Sequence, residues 1–138
     1  TQILRDADRM DIFYQCTLES DYQELYKQDW GGQVLTRKVR EKFKKAEPID
    51  FKLVQSKLDM LALRMGLMKQ LSMSASRKYV LDKKLPKRMA DFFERKFPYY
   101  ERREVEWLKN NTVLSLHSQI LIEDFDWKLM AYSLTDKV

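Results

Sequence analysis

Val54-Gln55-Ser56-Lys57-Leu58-Asp59-Met60-Leu61-Ala62-Leu63-Arg64-Met65-Gly66-Leu67-Met68 is the stretch whose reading decides the fold. Val54, Leu58, Leu61, Met65 and Met68 follow one another in alternating four- and three-residue steps, the spacing at which an α-helix returns to one face. Met60, Leu63 and Leu67 add a second apolar stripe, so the spacing predicts a helix buried on most of its circumference between neighbours. Each such side chain contributes roughly 1.5–3 kcal/mol when fully buried, so this helix should dominate core stability. Asp50 is the expected N-cap, its carboxylate accepting hydrogen bonds from first-turn amides, and Pro48 ends the preceding element.

Immediately upstream lies Arg37-Lys38-Val39-Arg40-Glu41-Lys42-Phe43-Lys44-Lys45, in which six of nine residues are basic and one is acidic. Leu35, Val39, Phe43 and Ala46 recur at helical spacing, which predicts a helix beginning near Gln33 with an apolar stripe and a dense cationic face. Gly31-Gly32 after Trp30 is the strongest break in the chain. Further back, Ile3, Ala7, Met10 and Tyr14 fit one face of a first amphipathic helix, with Arg5, Asp6, Asp8, Arg9 and Asp11 on its other faces.

Downstream, Ser72 to Ser76 reads as a cap or linker, and Tyr79, Val80, Leu85, Met89, Phe92 and Phe93 suggest more helix, which Pro86 either starts or kinks. Pro98 ends that segment. Tyr99 to Leu116 gives another helical pattern, interrupted at Asn110-Asn111. Near the end, Phe125, Trp127, Leu129 and Ala131 alternate with Asp126, Lys128 and Met130, which is closer to a strand period.

Composition agrees with a helical domain. The 138 residues include only Gly 3 and Pro 3, too few turn-formers for a many-stranded sandwich or barrel, and the 44% hydrophobic and 34% charged content is that of a globular chain. A single cysteine, Cys16, excludes an internal disulfide framework and fits a reducing compartment. No apolar run approaches the roughly twenty residues of a membrane span. The sequence opens on Thr1 rather than Met, so further residues upstream are expected. The net charge of +5 favours an acidic partner: a protein, a nucleic acid or an anionic lipid.

No catalytic constellation is legible. Asp8 and Asp11 share a helical face and could together hold a divalent cation, but local pairing with Arg5 and Arg9 on a solvated face explains them as well. His117 stands alone among apolar neighbours, and no cysteine or histidine cluster suggests zinc. Neither a Walker A sequence nor Gly-x-Gly-x-x-Gly occurs. For nucleic acid, the basic helix and the cations from Arg77 to Arg103 could track phosphates, with Tyr99 and Tyr100 available for stacking.

Residues 4 to 71 resemble the LYR-motif family of small mitochondrial three-helix proteins in three pieces. These are Leu4-Arg5-Asp6-Ala7-Asp8-Arg9-Met10, similar to the segment after the Leu-Tyr-Arg signature; Arg37 to Phe43, with Arg40 and Phe43 as the family's Arg-x-x-Phe pairing; and the helix after Asp50. The Leu-Tyr-Arg triplet itself is not in this sequence. The resemblance implies a non-enzymatic subunit or assembly factor of a larger complex, in the mitochondrial matrix, that docks an acyl carrier protein. Arg37, Lys38, Arg40, Lys44 and Lys45 would meet the partner's carboxylates. The acyl chain of its phosphopantetheine arm would enter beside Phe43, Leu61, Met65 and Met68, where methionines adapt to a flexible alkyl guest.

A rival resemblance covers Leu4-Arg5-Asp6-Ala7-Asp8-Arg9-Met10-Asp11-Ile12-Phe13, which is similar to the last metal-ligand motif of HD-domain phosphohydrolases. It implies that Asp8 completes a metal site whose preceding His and His-Asp are absent from this chain, making it the C-terminal half of such an enzyme, with the cytoplasm as the alternative location. Asp124 to Leu129 also resembles the opening strand of COMM domains. The expectation is an all-α bundle: a three-helix core over residues 1–71, and a helical extension over 72–138 ending in a short extended tail. Its leading function is docking of an acidic partner, with the phosphohydrolase fragment and a ribonucleoprotein-binding subunit as alternatives.

Overall fold

The computed structural model describes Leu4 and residues 30–136, with side chains to residue 131. The expected first helix, Cys16 and the aspartates at 6, 8 and 11 lie outside the described residues. Within them run five α-helices and one short 3₁₀ turn: α1 (Arg37–Lys44), the turn at Phe51–Leu53, α2 (Lys57–Lys69), α3 (Ser74–Asp82), α4 (Leu85–Lys96) and α5 (Arg102–Asp136).

The helical bundle follows from the predicted stripes. In α2 Leu58, Leu61, Met65 and Met68 are buried, as are Met60 and Ala62 on the adjoining face, while Leu63 and Leu67 are half-buried. This helix packs against α1, α4 and α5. Its start differs from expectation. Asp50 caps the 3₁₀ turn instead, accepting from the Lys52 amide at 3.0 Å, whereas Ser56 caps α2 through its Oγ, 3.0 Å from the Asp59 amide. Val54 therefore packs in the core from just outside the helix.

The basic helix is shorter than its pattern suggests. Gly32 donates its amide to the Gln55 carbonyl at 3.0 Å and forms an isolated parallel bridge with Ser56, so the chain reaches Thr36 extended and turns helical only at Arg37. A Cβ on Gly32 would stand 2.7 Å from the Gln55 oxygen, so glycine is required by close backbone approach. At the other end Ala46 adopts φ 57°, and the amides of Ala46 and Glu47 reach back to the carbonyls of Phe43 and Lys42. That is a Schellman termination made with alanine where glycine is usual.

Pro86 starts α4 rather than kinking a longer helix: it occupies the first turn, where no amide donor is needed. Two expectations fail in α5. Asn110-Asn111 does not interrupt it, and the predicted extended tail is helical through Asp136. The alternation at 125–131 is too short to impose a strand. Phe125 and Leu129 also stand four residues apart in line with Leu121, and no strand among the described residues offers a ladder, whereas a helix satisfies its own backbone. At 35 residues α5 is roughly 50 Å long and forms the spine against which α2, α3 and α4 pack.

One buried cluster runs from Leu35 through Val39, Phe43 and the α2 residues to Met89, Phe93, Leu108 and Leu116. It passes across residues 71 and 72 without a gap, because α5 contacts the helices on both sides of that point. Beyond the core, Leu114, Leu121, Ile122, Phe125 and Leu129 remain exposed along α5.

Candidate functional site: the cationic face of α1 and its anchors

Helix α1 is held by its apolar side. Val39 and Phe43 have no exposed surface, and the Phe43 ring lies 5.6 Å from that of Trp107 on α5. The opposite side points outward, with Arg37, Lys38, Lys44 and Lys45 all exposed. Among these, Arg37 lies 3.4 Å from Glu41 one turn along. Lys42 lies 3.7 Å from Glu47. Exposed pairs of this kind contribute at most about 1 kcal/mol and leave the cations accessible.

Arg40, also exposed, is the one of the five that is anchored. Its guanidinium sits 4.4 Å above the Trp107 ring and 3.5 Å from the Glu104 carboxylate, so it bolts α1 to α5. The structure thus leaves all five cations assigned to a docking ridge exposed, four of them turned wholly to solvent and the fifth, Arg40, anchored at its guanidinium to α5. The four residues assigned to an acyl pocket, Phe43, Leu61, Met65 and Met68, do stand together, but each is completely buried among protein side chains. An alkyl guest there has to displace core.

Two buried charged groups that the pattern reading missed fix the ends of α1. Asp59, fully buried on the first turn of α2, accepts from the Thr36 amide at 2.8 Å, the Thr36 hydroxyl at 2.5 Å and the Gln55 amide at 3.0 Å. Its carboxylate therefore joins the N-terminal ends of α1 and α2, where peptide dipoles favour an anion. Lys69, at the end of α2 and 4% exposed, donates to the Phe43 carbonyl at 2.6 Å and to Asn111 Oδ1 of α5 at 2.6 Å. Its ammonium also lies 4.3 Å over the Phe43 ring. Burial pulls its pKa down to about 8. The spacing Ser56-x-x-Asp59 could have signalled the first of these as a capping box. Nothing local signals the second, because Phe43 and Asn111 are remote in sequence from Lys69.

Among the described residues no group of three or more His, Cys, Asp or Glu side chains could hold a metal ion, and no helix is long and apolar enough to cross a membrane. His117 is exposed on α5. Asp8, the metal ligand implied by the rival resemblance, lies outside the described residues. No family model, curated protein or solved structure matches the chain.

Proposed function

We propose that this bundle is a binding module that docks an acidic protein surface on the exposed face of α1. The observation that carries the reading is the division of labour within that helix: Val39, Phe43 and Arg40 secure it to the body while Arg37, Lys38, Lys44 and Lys45 face solvent on a fixed backbone. Preorganised cations of one sign steer association and set orientation more than they add affinity. An acyl carrier protein is the partner that the LYR-like segments suggest. The test is native mass spectrometry with an acylated carrier protein. Arg37→Glu combined with Lys44→Glu should weaken the complex by at least about tenfold, whereas Arg40→Glu would chiefly lower stability by unbolting α1 from Trp107 and Glu104. Unchanged affinity in the double variant refutes docking on this face.

A second reading is that the chain is the C-terminal part of an HD-type metal-dependent phosphohydrolase. Two observations favour it over the carrier-protein version. The ten residues from Leu4 to Phe13 that resemble that family's metal motif are contiguous, and the side chains assigned to an acyl pocket are already filled core. Asp8 would then bind metal beside a His and a His-Asp supplied from outside this chain, and the bundle would be the body that supports the site. Sequencing the genomic region upstream of Thr1 discriminates: a His and a His-Asp there support the enzyme, and a Leu-Tyr-Arg triplet supports the adaptor.

A further inference from the structure

We propose that the cleft between the Trp30–Gln33 segment and Tyr99-Tyr100 is a binding site for a small planar aromatic anion. The cleft has a volume of about 340 Å³ and is lined by Trp30, Gly31, Gly32, Gln33, Lys57, Tyr99 and Tyr100. That volume lies at the lower end for small-molecule sites and suits a ligand of one or two rings.

Its walls are aromatic and braced. The Trp30 ring meets Phe51 edge-on at 6.3 Å, and the Tyr99 ring, 58% exposed, leans on Tyr100 at 4.9 Å with 34° between the planes. Both rings are therefore held by a neighbouring ring, which lowers the entropy lost when a ligand ring packs against either of them. The floor is backbone, and it is tied down: the Tyr100 hydroxyl accepts from the Lys57 amide at 3.2 Å and donates to the Gly32 carbonyl at 3.4 Å. At Gly31 a Cβ would meet nothing within 4 Å among the described residues.

The charge in the cleft selects the ligand class. Among the described residues Lys57 is its one cationic lining residue, and no acidic residue lines it. The Lys57 ammonium rests 4.6 Å over the ring of Phe97, which borders Tyr99 but does not itself line the cleft, with no carboxylate partner among the described residues. A quaternary ammonium would be repelled by Lys57 despite the aromatic walls. A ring carrying a carboxylate or phosphate gains both stacking and a charge-assisted contact. The site is independent of α1 docking, since it shares no residue with that face.

The two sources of such chemistry, an aryl carboxylate and a mononucleotide, are separated by titrating the whole chain calorimetrically with 2-naphthoate, 2-methylnaphthalene, adenosine monophosphate and adenosine. The expected result is 1:1 saturation by at least one of the two anions below about 5 mM, with its uncharged counterpart, 2-methylnaphthalene or adenosine, at least about tenfold weaker. Saturation by only one anion names the source. Tyr99→Ala should weaken binding at least about fivefold, and Lys57→Gln should abolish the preference for the charged ligand. Both substitutions are at positions outside the core cluster, and circular dichroism checks that each variant is folded. No saturation by either anion, equal binding of charged and uncharged ligands, or an unaltered affinity in folded Tyr99→Ala overturns the proposal.

Discussion

At the scale of single residues, the most consequential side chains here are charged groups that are nearly or fully buried. Lys69 holds the last carbonyls of α1 and the Asn111 side chain, yet burial lowers its pKa from 10.5 to about 8. In the unfolded chain the same amine stays protonated to its ordinary value. Between those limits the unfolded state binds more protons, so raising the pH through that window favours the folded state. Chemical denaturation from about pH 8 to pH 10 should therefore show a stabilising slope in wild type that is missing from Lys69→Met. An identical slope in the variant would mean that Lys69 titrates normally. Ala46 offers a test of a different kind. With φ 57° at the end of α1 it carries the left-handed strain that glycine escapes, so Ala46→Gly should stabilise the protein by about 0.5–1 kcal/mol, read as a raised denaturation midpoint. Both features escape a sequence pattern: one depends on partners from other helices, the other on where α1 happens to stop.

At the scale of elements, α5 shows how far a local period can be trusted. Its proximal half uses one side for the core, with Val105, Leu108 and Leu116 buried. Among the described residues its distal half is tied to the body by Arg77 to Glu123 at 2.9 Å and Lys78 to Asp124 at 3.9 Å, both from α3. Leu116 is fully buried whereas Phe125 is 60% exposed. Leu116→Ala should therefore cost about 2–5 kcal/mol in denaturant titrations, and Phe125→Ala less than about 0.5 kcal/mol. A large cost at Phe125 would show that the distal stretch is covered in solution. The alternation of Phe125, Trp127 and Leu129 that suggested a strand is real as a pattern, but side-chain period alone does not supply the neighbouring backbone that a strand needs. The apolar steps of α2, sustained over four turns, left no such ambiguity.

At the scale of the whole molecule, the buried cluster is continuous from Leu35 to Leu116, and α5 touches helices from both halves of the described chain. Thermal unfolding followed by far-ultraviolet and near-ultraviolet circular dichroism should give coincident transitions. Two separated transitions would divide the bundle near residue 71. The sequence by itself determined that the chain is helical, that residues 58–68 form its most buried element and that Arg37 to Lys45 carries a cationic face, because those properties follow from composition and from the 3.6-residue repeat. Only the tertiary structure decided which of those cations is anchored, since Arg40 is held by Trp107 and Glu104 more than sixty residues away. It alone decided that Phe43, Leu61, Met65 and Met68 are filled core, that Asp59 and Lys69 fasten the two ends of α1, and that Trp30 and Tyr99 line one cleft. Periodicity fixes the side of a helix on which a residue lies, and which neighbour meets that side is set by long-range packing.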